Sequence, residues 1–402
     1  MAPNQSDASP GIELLPDYSI NKKTAILRCA SYEREGVYAA LMQAVELGGA
    51  PDLKGKTVLL KPNIVFDAAP RKAVCTHPVF LEAAIKLTQS LGAGRILVGD
   101  SPGFQTPAFS AKASGLKEAA ERMGAEWADY LKESVEVPCP EGLRVKSFNL
   151  TKAALDADLI INLPKLKTHQ LMCFTGAMKN LFGLVPSIAK SAYHVRFPGQ
   201  DAFAEMIVDL NLAVKNVYTL MDAITGMEGP GPSGGSPRHI GLVLASSNVL
   251  ALDIAASAII AYPPGEIPVN RDALGRGIWL NNIEEIEYPA LRPEDLYIHD
   301  FKKIGIKKAA PQLVNFIMPK PIRKFLEGLT PGPQINHKKC TRCCDCTKIC
   351  ASRAMELVKS PKDDIKTHSI HIDYERCIRC FCCHEICPAK AIDVVKKPKN
   401  SG

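Results

Sequence analysis

Ten of the fourteen cysteines in this 402-residue chain fall between Cys340 and Cys387, and their spacing restricts what that stretch can fold into. It reads Cys340-Thr-Arg-Cys343-Cys344-Asp-Cys346-Thr-Lys-Ile-Cys350, then, after a polar spacer, Cys377-Ile-Arg-Cys380-Phe-Cys382-Cys383-His-Glu-Ile-Cys387-Pro388. Each half carries C-x2-C-x2-C-x3-C, the spacing by which a short loop wraps three thiolates round one iron–sulfur cube and sends the fourth to its neighbour. Two copies predict two [4Fe–4S] clusters. By that crossing, Cys340, Cys343, Cys346 and Cys387 hold one cluster, while Cys377, Cys380, Cys383 and Cys350 hold the other.

A zinc ribbon needs only four ligands and leaves the repeated third and fourth positions without a purpose. Disulfides suit short secreted chains, and this long chain shows no charged and then apolar leader at its start. The stretch resembles the bacterial two-cluster ferredoxin family. Cys344 and Cys382 lie outside the spacing and are read as non-ligands. The first half ends Cys350-Ala351 where the family has proline, which alters a turn preference and not the thiolate count. Cys29, Cys75, Cys139 and Cys173 are expected to be buried apolar residues.

The formal charge of +7 counts no cluster. Residues 336–402 hold fourteen Lys or Arg against eight Asp or Glu, and two cubes with eight thiolates would remove four charges, leaving about two. The basicity is therefore counter-charge, and no nucleic-acid motif accompanies it. No apolar run is long enough for a spanning helix. Exposed clusters and thiols favour a reducing, cytoplasmic setting.

Residues 1–20 read as a loose leader. From there to about residue 300, apolar strands at 24–29, 56–65, 95–100, 158–163 and 241–245 alternate with helical patterns at 37–47, 79–91 and 115–124. That alternation predicts an α/β domain with a mainly parallel sheet and flanking helices, followed by a small α+β ferredoxin-like domain over 336–397. Residues 301–335 read as a basic, Pro-rich connector, in which Gln312 to Leu326 reads as an amphipathic helix that docks the two modules in preference to touching a membrane surface. Ligands in parallel sheets gather beyond the carboxyl ends of the strands. Polar groups expected there are Lys61 and Asn63, Asp100 and Ser101, Lys165 to His169, and Asp222 to Glu228.

Lys61-Pro-Asn63, Gly99-Asp100-Ser-Pro, Pro164-Lys165-Leu-Lys167-Thr-His169, Thr175-Gly176-Ala-Met-Lys179-Asn180, Tyr193-His194 and Asp222-Ala-Ile-Thr-Gly-Met-Glu-Gly-Pro-Gly231 are similar to the DUF362 family, over about residues 55–265. That family has no assigned reaction and is often fused to a ferredoxin module. Lys165 and Lys167 alternate on an extended segment that His169 continues, so they share a face. With Lys179 they form a candidate site for a carboxylate or phosphate, or else a solvated basic loop. Asp100 and Asp222 are candidates for binding a cation or accepting protons, or for holding turns. His77 and His194 are weaker candidates, His77 because its place before Pro78 also suits a helix cap. The glycines from Gly226 to Gly235 can approach a ligand closely. No nucleotide-binding glycine signature is present.

The leading expectation is an iron–sulfur oxidoreductase whose two clusters relay electrons to or from an anionic ligand near Lys165, Lys167, His169 and Lys179. Its partners would be that small anion or a ferredoxin- or flavodoxin-type redox protein. The alternatives are an electron-transfer or scaffold protein that docks a partner enzyme, and a redox or iron sensor.

Overall fold

The apolar runs over 57–62 and 95–98 become neighbouring parallel strands, because the helix over 78–90 supplies the long return connection that parallel pairing requires, and the run over 159–163 pairs parallel on the other side of 57–62. The computed structural model describes residues 21–65, 68–102, 107–130, 132–305, 331–358 and 368–395. In chain order the strands are β1 (Ala25–Arg28), β2 (Thr57–Pro62), β3 (Arg95–Val98), β4 (Glu126–Trp127), β5 (Ser134–Pro138), β6 (Ser147–Thr151), β7 (Leu159–Leu163), β8 (Lys165–His169), β9 (Cys173–Thr175), β10 (Val217–Glu228) and β11 (Ser236–Ser246). Four short strands follow near the C-terminus: β12 (Gly332–Ile335), β13 (Met355–Val358), β14 (Ser369–Ile372) and β15 (Ile392–Val395).

The main sheet runs β1-β11-β10-β7-β2-β3-β4, with β8 added to β10 and β9 to β8. The β10-β7-β2-β3-β4 pairings and β8 on β10 are parallel, whereas β1, β11 and β9 join antiparallel. This is the mainly parallel α/β sheet that the alternation predicts. Its strands bury alternate residues in two layers. Val58 and Leu60 pack with Leu41, Phe80 and Leu81 of the helices over 34–48 and 78–90. Leu59 and Ile160 pack on the opposite side with Phe203, Met206 and Leu252, from the helices over 200–213 and 249–259. Cys29, Cys75, Cys139 and Cys173 are buried, as their apolar surroundings suggest. Among the described residues no helix is long and apolar enough to cross a membrane.

One expectation needs correction. Asp222 does not end a strand; it lies in the middle of β10, whose last residue is Glu228. Pro164 interrupts one neighbour, and the chain resumes as β8 on the same strand, so the ladder continues through Asp222↔Lys165 and Met227↔Lys167. Two of the glycines after Gly226 are required by backbone packing. A Cβ on Gly231 would collide with the Thr168 carbonyl, and one on Gly235 with that of Glu228. The leader and the Gln312–Leu326 segment lie outside the described residues.

The C-terminal module is built twice over. Adding 37 to each bound of β12, β13's partner geometry and the helix over Asp345–Ile349 reproduces the second half: β12 maps on β14, β13 on β15, and that helix on Cys382–Ile386. Left-handed φ values match in the same way, at Arg342 and Arg379, Cys344 and Phe381, and Arg353 and Lys390. The halves exchange strands, β12 pairing with β15 and β13 with β14. Ile335, Ile370, Ile372 and Ile392 share its small core with Cys346 and Cys383.

Candidate functional site

The carboxyl ends of β2 and β3 are held together by a buried ion pair. Lys61 Nζ lies 2.8 Å from Asp100 Oδ1, and the other Asp100 oxygen accepts the Ile64 N–H at 2.6 Å. The loop at Gly183 passes so close that any Cβ there would strike both Asp100 Oδ1 and Lys61 Nζ. Beside this pair runs an amide chain: Asn63 Nδ2 donates to Asn180 Oδ1 at 2.8 Å, and Asn180 Nδ2 to Asn162 Oδ1 at 2.8 Å. These bonds fix the strand ends as a rigid floor.

Above that floor is a cavity of about 130 Å³ whose lining includes Asn63, Asp100, Lys167, His169, Lys179 and Lys190. Lys167 Nζ donates to Asn63 Oδ1 at 2.5 Å and to the Val74 carbonyl at 2.7 Å. Burial brings its pKa down to about 7. Lys190, from the helix over Ser187–Arg196, donates to the Ser101 carbonyl, and burial likewise brings it to about 7. Lys179 is lowered by burial too, against the opposing attraction of Glu385 and Cys382. His169 Nδ1 accepts the N–H groups of Leu171 at 3.1 Å and Met172 at 3.3 Å, which puts its proton on Nε2. Burial, reinforced by Lys179 and Lys167, keeps that ring neutral.

The opposite wall comes from the C-terminal module, through Ile349, Cys382, Glu385 and Ile386. Glu385 Oε1 stands 3.4 Å from His169 Nε2, and Ser233 Oγ donates to the Glu385 carbonyl at 2.9 Å. Burial raises the Glu385 carboxyl, and Lys179, His384 and Lys167 pull it back down. Cys382 is buried and hydrogen-bonded to Cys380, placing a thiol between the second cysteine group and the cavity.

Lys167, His169 and Lys179 thus come together with Asn63 and Asp100 on one side of the sheet. Lys165 and Asp222 do not join them. Lys165 Nζ bonds Asp222 Oδ2 at 2.8 Å and Tyr32 Oη at 2.6 Å, a closed buried cluster away from the cavity. Tyr32 stacks on His77 with ring centroids 3.6 Å apart. His77 caps its helix, Nδ1 accepting the Val79 N–H at 3.2 Å. His194 reaches the cavity wall but stacks on Phe203 at 4.4 Å, and burial lowers it to about 3. Lys190, Cys382 and Glu385 escaped the sequence reading. Lys190 sits in an ordinary polar helix, and the other two lie within a loop whose spacing speaks only of ligands.

The module's cysteines lie close enough to one another to raise each other's thiol pKa. Burial, then the thiols of Cys343, Cys340 and Cys387, push Cys346 up to about 12. Burial, then Cys380, Cys377, Cys346 and Cys350, push Cys383 well above its ordinary range. Cys350 Sγ accepts the Ala354 N–H and Cys387 Sγ the Ala391 N–H, each at 3.2 Å and 37 residues apart. Cys340, Cys343, Cys346 and Cys387 line a small cavity with Ile335, Ile370 and Ile392, and Cys344 lines it too. Among the described residues no three His, Cys, Asp or Glu side chains converge as ligands of a single metal ion.

Fold and site define a class of α/β protein in which a lysine-lined cavity at the strand ends is walled by a small C-terminal module. The chain belongs to the DUF362 family, a domain of unknown function whose model matches residues 58–258. It is 35% identical over 296 residues to a thylakoid-associated protein of Synechocystis sp., covering 70% of this chain and 87% of that one. Two solved structures are more distant: a Thermotoga maritima protein at 14% identity and TM-score 0.37, covering 57% of this chain, and the lactate racemase apoprotein of Thermoanaerobacterium thermosaccharolyticum at 18% and 0.37, covering 58%. The chain spans 60% and 56% of those two proteins' lengths.

Proposed function

We propose that this protein is an iron–sulfur oxidoreductase in which two [4Fe–4S] clusters exchange electrons with a small anionic ligand in the lysine-lined cavity. The observation that carries the reading is the repeat of the cysteine stretch after 37 residues, in sequence and in backbone, with Cys340, Cys343, Cys346 and Cys387 beside one small cavity. The residues fit the group. A cube distributes its four thiolates over four irons, so its ligands need not converge as they would on one ion. The N–H groups on Cys350 and Cys387 stabilise thiolate over thiol, and Ile335, Ile370 and Ile392 give the first set one apolar side.

When bound, the clusters supply low-potential one-electron chemistry. The chain's own residues position the ligand. Lys167, Lys179 and Lys190 present cations to it, while Ile349, Ile386 and Phe182 limit water around it. Cys382 and its bond to Cys380 make the second set the one nearer the cavity. Cys343 is exposed, so the first set is the side at which a ferredoxin- or flavodoxin-type carrier would exchange electrons. A reducing, cytoplasmic setting belongs to the same proposal.

The test is anaerobic purification followed by iron and sulfide analysis and paramagnetic resonance of the dithionite-reduced protein. The proposal requires two interacting cubane signals. A chain holding zinc and no sulfide would sink it.

A further inference from the structure

The charges facing the cavity do not balance. Asp100 is already paired with Lys61 at 2.8 Å, which leaves Glu385 as the other carboxylate on the wall, opposite Lys167, Lys179 and Lys190. With all three lysines protonated, three ammonium groups against one carboxylate leave an excess of two positive charges. Lys179 makes no hydrogen bond or ion pair among the described residues, although it lies on the wall beside partnered lysines. Buried cations without counter-charge are costly, and a bound anion would remove that cost.

Size sets the second constraint. The cavity, at about 130 Å³, is slightly smaller than the ~150 Å³ void that admits benzene. Its apolar lining, Ile64, Val65, Phe182, Ile349 and Ile386, leaves room for a short carbon body as well as a charged head. A nucleotide or other large cofactor exceeds the volume of the cavity itself.

We infer that the cavity takes a small dianion, either a phosphate monoester or a dicarboxylate, of no more than about eight non-hydrogen atoms. The inference rests on the proposed function only in taking this cavity as the functional site. Lys179 supplies the cation that has no other partner. Lys167 and Lys190 supply the other two, each oriented by its bond to Val74 or Ser101. Glu385 sets the net charge and thereby the preference for two negative charges over three.

The experiment is calorimetric titration of the anaerobically purified full-length protein with methyl phosphate, malonate, acetate and 5′-AMP, with iron and sulfide measured on each preparation. Methyl phosphate or malonate should bind at least about tenfold more tightly than acetate, and 5′-AMP should not bind. Lys179→Gln should reduce that dianion preference by about tenfold. Glu385→Gln should instead tighten dianion binding, an increase that mere structural damage would not produce. Should Lys179→Gln fail to fold, Lys190→Gln tests the same charge. The inference is overturned if neither dianion binds, if acetate binds equally well, if 5′-AMP binds as tightly as the small dianions, or if the lysine variants keep the full preference. Dianion selectivity in protein lacking iron counts against the cluster reading alone, and cluster-replete protein without selectivity counts against this inference alone.

Discussion

His169 Nε2 lies 3.4 Å from Glu385 Oε1, and this contact joins the end of β8 to the cysteine-rich module. His169 Nδ1 accepts two backbone N–H groups, so the ring proton sits on Nε2, the nitrogen nearer that carboxylate. The module is therefore part of the cavity wall. Glu385 also falls in the second cysteine loop, between Cys383 and Cys387. Loss of order in that loop should open the cavity as well as disturb the cysteines.

The metal content follows from the two complete ligand sets. Anaerobically purified protein should hold about eight iron and eight acid-labile sulfide per chain, and aerobic purification should lose part of both. Elemental analysis with sulfide determination decides this.

Substitution of single cysteines should separate ligands from bystanders. Cys344 stands where the other half has Phe381, and Cys382 where it has Asp345, so the repeat does not need a thiol at either place. Cys344→Ser should keep iron near the wild-type content, whereas Cys346→Ser or Cys387→Ser should lose about half. If Cys344→Ser loses a cluster and Cys346→Ser keeps both, the ligand sets are wrong.

The division between what the sequence discloses and what it hides follows from range. Cysteine spacing and apolar alternation act over a few residues, so the repeat, β2, β3, β7 and the helix over 78–90 can be read directly. The hairpin of β5 and β6 has too little apolar alternation to register, since most of β5 is exposed. Lys165 and Lys167 look equivalent because alternation puts them on one face. What separates them is the register of β8 on β10, which sets Lys165 opposite Asp222, and no local pattern encodes that pairing. Glu385 and Cys382 enter the site only because the module docks, a contact between residues 150 or more positions apart, as with Ser233 and Glu385.

Gly183 should be intolerant of a side chain. Its missing Cβ leaves the space in which Asp100 Oδ1 meets Lys61 Nζ, so Gly183→Ala must displace one partner of a fully buried ion pair. Leaving such a charge uncompensated costs about 3–5 kcal/mol. Equilibrium denaturation should show a loss in that range, and a variant within about 0.5 kcal/mol of wild type would mean that the pair relaxes freely.

Anion affinity and fold stability should respond to pH in opposite directions. Lys167 and Lys190 each titrate at about 7 in the folded chain, against about 10.4 for an unfolded lysine. Facing Lys167 are Cys75, Lys179, Glu385 and Asp100, and facing Lys190 are Asp100, Lys61 and Lys179. As pH rises through 7 both side chains become neutral in the folded state, so sulfate, which stays a dianion throughout, should bind at least about tenfold less tightly at pH 8 than at pH 6. The folded pKa is depressed, so between about 7 and 10 the unfolded chain binds more protons than the folded one. These two lysines therefore add stability as pH climbs through that window. Titration calorimetry with sulfate, run beside denaturant unfolding at the same pH values, checks both signs. Affinity that is flat from pH 6 to 8 would show that the lysines do not carry the anion, while affinity and stability falling together would point to unfolding instead.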